Sequence, residues 1–229
     1  MGLALSVGLL GDLKANDAEG FATFSAYFNE VNVLLAENGL PAHVEPDTAT
    51  PWDAEMFGYS GLHYLRRIAA YVDSGLELPP PGDQNSSDDT RLQAYFNDVT
   101  GVGVGALKKL FQKRVRFKRE FDHLIVHSDA EGFYLPIDFP NVLLADDGRI
   151  PGGMVGSTPR LLAESDRLAR ILGIPSHLTN DSEELCDAAD SQGEGGAIWQ
   201  KYGVESFSCV SLREACRRSM DTGAAVVFA

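Results

Sequence analysis

The sequence predicts an α/β or α+β fold, a single domain over residues 1–229 in which a mixed β-sheet is packed by four or five amphipathic helices. Three observations carry that expectation. Apolar residues recur at helical spacing in several stretches bounded by caps or stops, and short runs of strand composition lie near both ends. A central block from Phe121 to Asp147 alternates apolar runs with His, Ser, Asp and Glu. With 44% hydrophobic residues in 229, the chain can bury a sizeable core.

Taken in order, Leu3, Leu5 and Val7 alternate as a first strand buried in the sheet. Gly2 and Ser6 also match the N-myristoylation pattern, but that pattern is short and a buried strand accounts for the same residues. Asn16 with Glu19 offers a capping-box-like start, after which Phe21, Phe24, Phe28, Val31 and Leu35 keep helical spacing until Gly39-Leu40-Pro41. This aromatic stripe reads as core packing. Residues 41–57 are loop-like. Ser60 then opens a helix with Leu62, Leu65, Ile68, Ala69 and Val72 on one face, ended by Gly75. His63 and Arg67 lie one turn apart on it and form a candidate anion contact. The Pro79-Pro80-Pro81 run and its Ser- and Asp-rich continuation predict an exposed loop near residues 78–90.

Gly101-Val102-Gly103-Val104-Gly105 lacks the G-x-G-x-x-G spacing and no G-K-[ST] follows, so it reads as a helix entry rather than a phosphate cradle. Lys108 to Arg119 holds seven of the 19 basic residues, interleaved with Leu110, Phe111, Val115 and Phe117. Such a helix either pairs with the protein's own carboxylates or docks on an acidic surface. Leu124 to Val126 reads as a strand, Gly132 to Ile137 as a second, and Val142 to Ala145 as a third in a hairpin turned at Asp146-Asp147-Gly148-Arg149. Ser157-Thr158-Pro159 starts a helix that runs through Leu161, Leu168 and Leu172 to Gly173. Ser176 to Gly196 is polar, acidic surface with a short helix from Asp181 to Ala189. Ser211 with Glu214 caps a last helix that stops at Gly223, before a terminal strand from Ala224 to Phe228.

His127, Ser128, Asp129, Glu131, Tyr134 and Asp138 form the candidate polar site. In an extended chain His127, Asp129 and Glu131 would project from one face. Imidazole plus two carboxylates suits a divalent metal, with Asp138 or His63 as a further ligand, and His127 could instead act as general base on a water. Ser128-Asp129-Ala130-Glu131-Gly132 is also turn chemistry, which would break that alternation. No nucleophile elbow or HExxH supports an enzyme, so no catalytic residue is assigned and no cofactor is expected beyond that alternative metal.

HSDAEGFYLPIDFP, with GYSGLHYLRR before it and GGMVGSTPRLL after it, resembles blocks shared by a group of uncharacterised bacterial proteins. The resemblance spans most of the chain and implies a single domain. It implies no activity.

Nineteen Lys and Arg against 33 Asp and Glu give a net charge of −14, which repels phosphate backbones and anionic lipid. Nucleic acid is therefore not an expected partner, and a basic protein surface is. Cys186, Cys209 and Cys216 have no CxxC spacing, which suits a reducing, cytoplasmic setting, and no apolar run approaches the ~20 residues of a membrane span. The expected function is a non-catalytic binding or regulatory protein acting through its acidic surface on a basic protein partner. The alternative is a metal-assisted hydrolase or other small-molecule enzyme around His127, Asp129 and Glu131.

Overall fold

Leu5 and Val7 lie buried in β1 (Ala4–Val7), as their alternation predicts, in a computed structural model that describes residues 3–56, 58–82, 86–100, 119–145 and 148–228. Met1, Gly2, the Gly101 to Gly105 run, Lys108 to Lys118 of the basic stretch and the Asp146-Asp147 turn fall outside the described residues. After β1 comes α1 (Leu9–Asn16), which the sequence pattern does not announce. Asp17 rather than Asn16 then caps α2 (Ala18–Glu37), accepting hydrogen bonds from the amides of Glu19 and Gly20. β2 (Trp52–Glu55) lies in the stretch expected to be loop and forms one edge of the sheet, where exposed Asp53 and Glu55 discourage pairing with another chain.

The second expected helix is α3 (Gly58–Asp73), followed by α4 (Thr90–Thr100). The described part of the loop between them is docked rather than free: Pro79 is buried, its carbonyl accepts from Tyr202, and the Pro80 carbonyl accepts from Arg67. Leu124 to Val126 is not a strand. Asp122–Ile125 forms a single helical turn, α5, because a short apolar run has no period of its own and the fold supplies amide and carbonyl partners for a turn there. β3 (Gly132–Leu135), β4 (Leu143–Leu144) and β5 (Met154–Ser157) complete the central block, and β4 pairs with β5 as an antiparallel neighbour.

α6 (Thr158–Leu172) starts at the expected Ser-Thr-Pro and ends at Gly173 in the left-handed region. Its Ser157 hydroxyl does not cap it but donates to the Ile137 carbonyl at 2.8 Å. α7 (Glu183–Asp190) and α8 (Ile198–Lys201) precede α9 (Gly203–Thr222), which begins eight residues before Ser211 and buries that serine in mid-helix. β6 (Val226–Phe228) is the expected terminal strand.

Among the described residues the strands form one mixed, six-stranded sheet in the order β2-β1-β6-β3-β5-β4, in which β3 and β5 pair parallel and the other neighbours antiparallel. Side-chain alternation sends Leu5, Tyr134, Val226 and Phe228 to one face, against α3, α5, α6 and α9. Phe133, Leu135, Val155 and Val227 go to the other, against Phe28, Val31, Leu34 and Leu35 of α2. The first half of α9 is buried on nearly every side because α7 and α8 cover it, Leu185, Ala188, Ala189 and Trp199 clustering with its Phe207 and Val210. Gly203 permits that approach, since any side chain there would collide with the Ala188 carbonyl. Among the described residues no helix is long and apolar enough to cross a membrane.

Candidate functional site

Arg66 organises the central polar region. It sits four residues after Leu62 and three before Ala69, on the buried stripe of α3, and is only 4% exposed. Its Nε donates to the Leu124 carbonyl at 2.7 Å, and its Nη2 donates to the carbonyls of His127 at 2.7 Å and Ser128 at 3.2 Å. These are carbonyls at the end of α5 and just beyond, which a single helical turn leaves without intrahelical donors. At the other end of α5 the Glu164 carboxylate accepts from the amides of His123 at 3.0 Å and Leu124 at 2.7 Å. Burial pushes the Glu164 carboxyl well above the usual range, against the pull of those amide bonds. α5 is thus held at both ends by side chains from α3 and α6.

Asp122 accepts from the Tyr95 hydroxyl at 3.0 Å and from the Arg119 amide at 3.1 Å, and burial raises it to about 6. His123 accepts the Ser157 amide on Nδ1 at 3.0 Å, and burial first, then the neighbouring His127, lower it to about 3. His127 is stacked on Tyr134 with ring centroids 4.0 Å apart, and its two nitrogens face the carbonyls of Ser128 and Phe133, each at 3.1 Å. Burial lowers it to about 4 despite those acceptors, so the ring is neutral at pH 7. Gly132, at φ 130°, lies against this ring, and a Cβ there would stand 2.8 Å from His127 Cε1.

The geometry does not bring the three expected metal ligands together. The chain bends between Val126 and Glu131 instead of staying extended, and the three side chains diverge. His127 is enclosed by carbonyls, Asp129 pairs with His63 (Nε2 to Oδ2, 3.0 Å), and Glu131 is exposed. Among the described residues no group of three His, Cys, Asp or Glu is placed to hold a metal ion. His63 and Arg67 do not act together either: His63 turns to Asp129, while Arg67 is buried and donates to Pro80. Burial, then the Arg66 charge, lower the His63 pKa, with Asp129 opposing. Tyr134 is buried with its hydroxyl donating to the His123 carbonyl at 2.7 Å, and Asp138 is exposed in a bidentate pair with Arg160.

His63, His127, Ser128 and Asp129 do share one feature, a cavity of about 580 Å³ that Arg66 also lines. Glu131, Tyr134, Asp138 and Arg67 do not line it. Sequence reasoning passed over Arg66, although a charge falling on an apolar helical stripe was a legible signal.

A second region stands on the opposite principle. Between Arg170 and Lys201 there is no Lys or Arg, yet the stretch carries Asp181, Glu183, Glu184, Asp187, Asp190 and Glu194, every one exposed. α7 turns Leu185, Ala188 and Ala189 to the protein, so its carboxylates take the outer side. Of these acids, only Glu184 has an ion-pair partner among the described residues, the exposed His177 at 2.8 Å. The arginines of neighbouring helices are engaged elsewhere, Arg213 and Arg217 with Asp166 and Arg218 with Glu214.

Comparison with curated proteins and with solved structures finds no match. A family model does match, over residues 1–228, and its description is "Putative DNA-mimic protein". That description corrects two expectations drawn from charge. The expectation of a general acidic regulator of an unspecified basic partner gives way to a family described by mimicry of DNA, and nucleic acid, not expected as a partner because phosphates are repelled, enters as the molecule which that description says is imitated. Because the match runs through all but the final residue, the chain belongs to this DNA-mimic family.

Proposed function

We propose that this protein occupies the nucleic-acid-binding surface of a DNA-binding protein, its carboxylates standing where phosphates would, and that α7 with its flanks is the presenting face. The observation that carries this reading is the row of carboxylates on α7, which among the described residues meets no cationic partner but His177. Glu183, Glu184, Asp187 and Asp190 are exposed on a helix seated on α9 by Leu185, Ala188 and Ala189. From Glu183 to Asp190 the helix advances about 10 Å, at roughly 1.5 Å per residue, so its four charges average about one per 3.5 Å of axis, in unequal steps of about 1.5, 4.5 and 4.5 Å. One DNA strand carries a charge about every 3.4 Å of axis. Asp181 and Glu194 extend the row at either end. The net charge of −14 adds long-range steering toward a surface shaped for phosphates.

The test separates patterned mimicry from bulk acidity. The full chain is immobilised and offered a protein fraction previously retained on duplex DNA. Bound proteins are expected to leave when a short duplex is added. A variant with Glu183→Gln, Glu184→Gln, Asp187→Asn and Asp190→Asn should lose retention. A variant with Glu55→Gln, Glu77→Gln, Asp88→Asn and Asp221→Asn, which has the same net charge, should keep it. Equal loss in both variants, or no displacement by DNA, would overturn the reading.

A further inference from the structure

We propose that the cavity beside Arg66 binds a small organic anion, with a carboxylate or phosphate head on the guanidinium and a flat apolar body against Phe96 and Met154. The proposal does not rest on the DNA-mimic reading, and none of its residues belongs to α7. Its volume, about 580 Å³, lies within the roughly 300–1,000 Å³ typical of small-molecule sites.

Arg66 is a cation whose donors are incompletely used among the described residues. Arginine offers five N–H donors. Arg66 places Nε and Nη2 on three carbonyls, and no acceptor among the described residues takes the N–H groups of Nη1. No carboxylate among the described residues stands within ion-pair distance of it; Asp129, which bears on it electrostatically, is engaged with His63. An arginine only 4% exposed, lining an open cavity and without an ion-paired carboxylate among the described residues, is a poor arrangement for stability alone. An oxyanion supplies both the missing acceptor and the missing charge, and the planar fork suits carboxylate or phosphate.

The rest of the wall defines the ligand's body. Leu92, Phe96, Ile125 and Met154 provide apolar and aromatic lining. Gln93 and Asn97, exposed on α4, together with the His63–Asp129 pair, place polar groups elsewhere on the lining. Few polar groups converging on an apolar wall is the usual composition of a site for a small organic molecule. A highly hydrated inorganic ion would leave the apolar wall unused.

The experiment titrates the full chain with benzoate, phenyl phosphate and the neutral isostere benzamide, following the amides of Ile125 to Asp129 and the Met154 methyl by NMR. Benzoate or phenyl phosphate should give saturable shifts, the stronger of the two identifying the head group, with benzamide at least about tenfold weaker. Gln93→Trp, which sets a ring at the mouth from an exposed position, should abolish the shifts while circular dichroism and Tm stay unchanged. Arg66→Lys, which keeps the charge but loses the fork, should weaken benzoate more than benzamide. Benzamide binding as well as benzoate, benzoate undiminished by Gln93→Trp, or no saturation by any probe up to ~10 mM would overturn the proposal.

Discussion

The interior around α5 and the outer helix α7 use ionisable residues in opposite ways. Around α5 three buried side chains face backbone: Glu164 holds two amides, Arg66 holds three carbonyls, and His127 lies between two more. On α7 the carboxylates hold almost nothing of the protein itself. Buried polar and ionisable groups fix the path of the chain at a desolvation cost that makes each partner hard to replace. Exposed, unmatched charge contributes little to folding and is available to another molecule. Stability and recognition are therefore separable in this protein by mutation.

The largest expected effect that would sharpen this contrast is Glu164→Ala. Two buried amides lose their acceptor, which should lower stability by about 3 kcal/mol and Tm by roughly 10 °C in calorimetry. A shift below about 2 °C would break the claim that α5 depends on this carboxylate.

Next comes the pH response at His127. The unfolded ring takes up a proton near 6.5 and the folded ring only near 4, so between those values the unfolded state holds more protons and stability falls as pH drops. Asp122, raised to about 6 by burial, works in the opposite sense, stability rising as pH falls through 6 toward the ordinary carboxylate range. A His127→Gln variant isolates the first contribution. Its deficit relative to the native chain at pH 7 should shrink toward pH 4 by on the order of 3 kcal/mol, read from denaturant melts at each pH. A deficit independent of pH would show that the folded ring is not neutral.

The smallest effects belong to the surface. Neutralising the four α7 carboxylates together should move Tm by no more than roughly 3 °C in either direction while removing partner retention. A collapse in Tm would break the contrast at its other end. Arg160→Ala, which removes the exposed pair with Asp138, should cost no more than about 0.5 kcal/mol.

What could be read from the residues follows the same division. α2, α3 and α6 were legible because long apolar periods and their stops are local signals. α9 was located only in its second half. Its first half buries Ser206 and Ser208, and each satisfies its hydroxyl on a carbonyl, Ser206 on Trp199 and Ser208 on Val204, so polar residues occupy positions where a period should be apolar. α5 was misread because four residues cannot distinguish a turn of helix from a strand. The candidate site was half legible: His127 and Asp129 border the cavity, but their partners, Arg66 and His63, come from α3 and become neighbours only through tertiary packing. The acidity of α7 was visible in sequence, whereas the engagement of the nearby arginines Arg213, Arg217 and Arg218 with other carboxylates required the fold.

The place of β6 in the sheet bears on how the molecule is made. Leu5 of β1 stands opposite Phe228, and Phe133 of β3 stands opposite Val227, so β6 joins two halves of the sheet that do not touch each other. During synthesis β1–β2 and β3–β5–β4 leave the ribosome before the strand that unites them, each with an open hydrogen-bonding edge. Closing the sheet waits for pairings between residues nearly the whole chain apart, the kind of contact that slows folding most. A ribosome stalled before Ala225 should therefore carry two protease-sensitive pieces, with resistance acquired in one step once β6 is released.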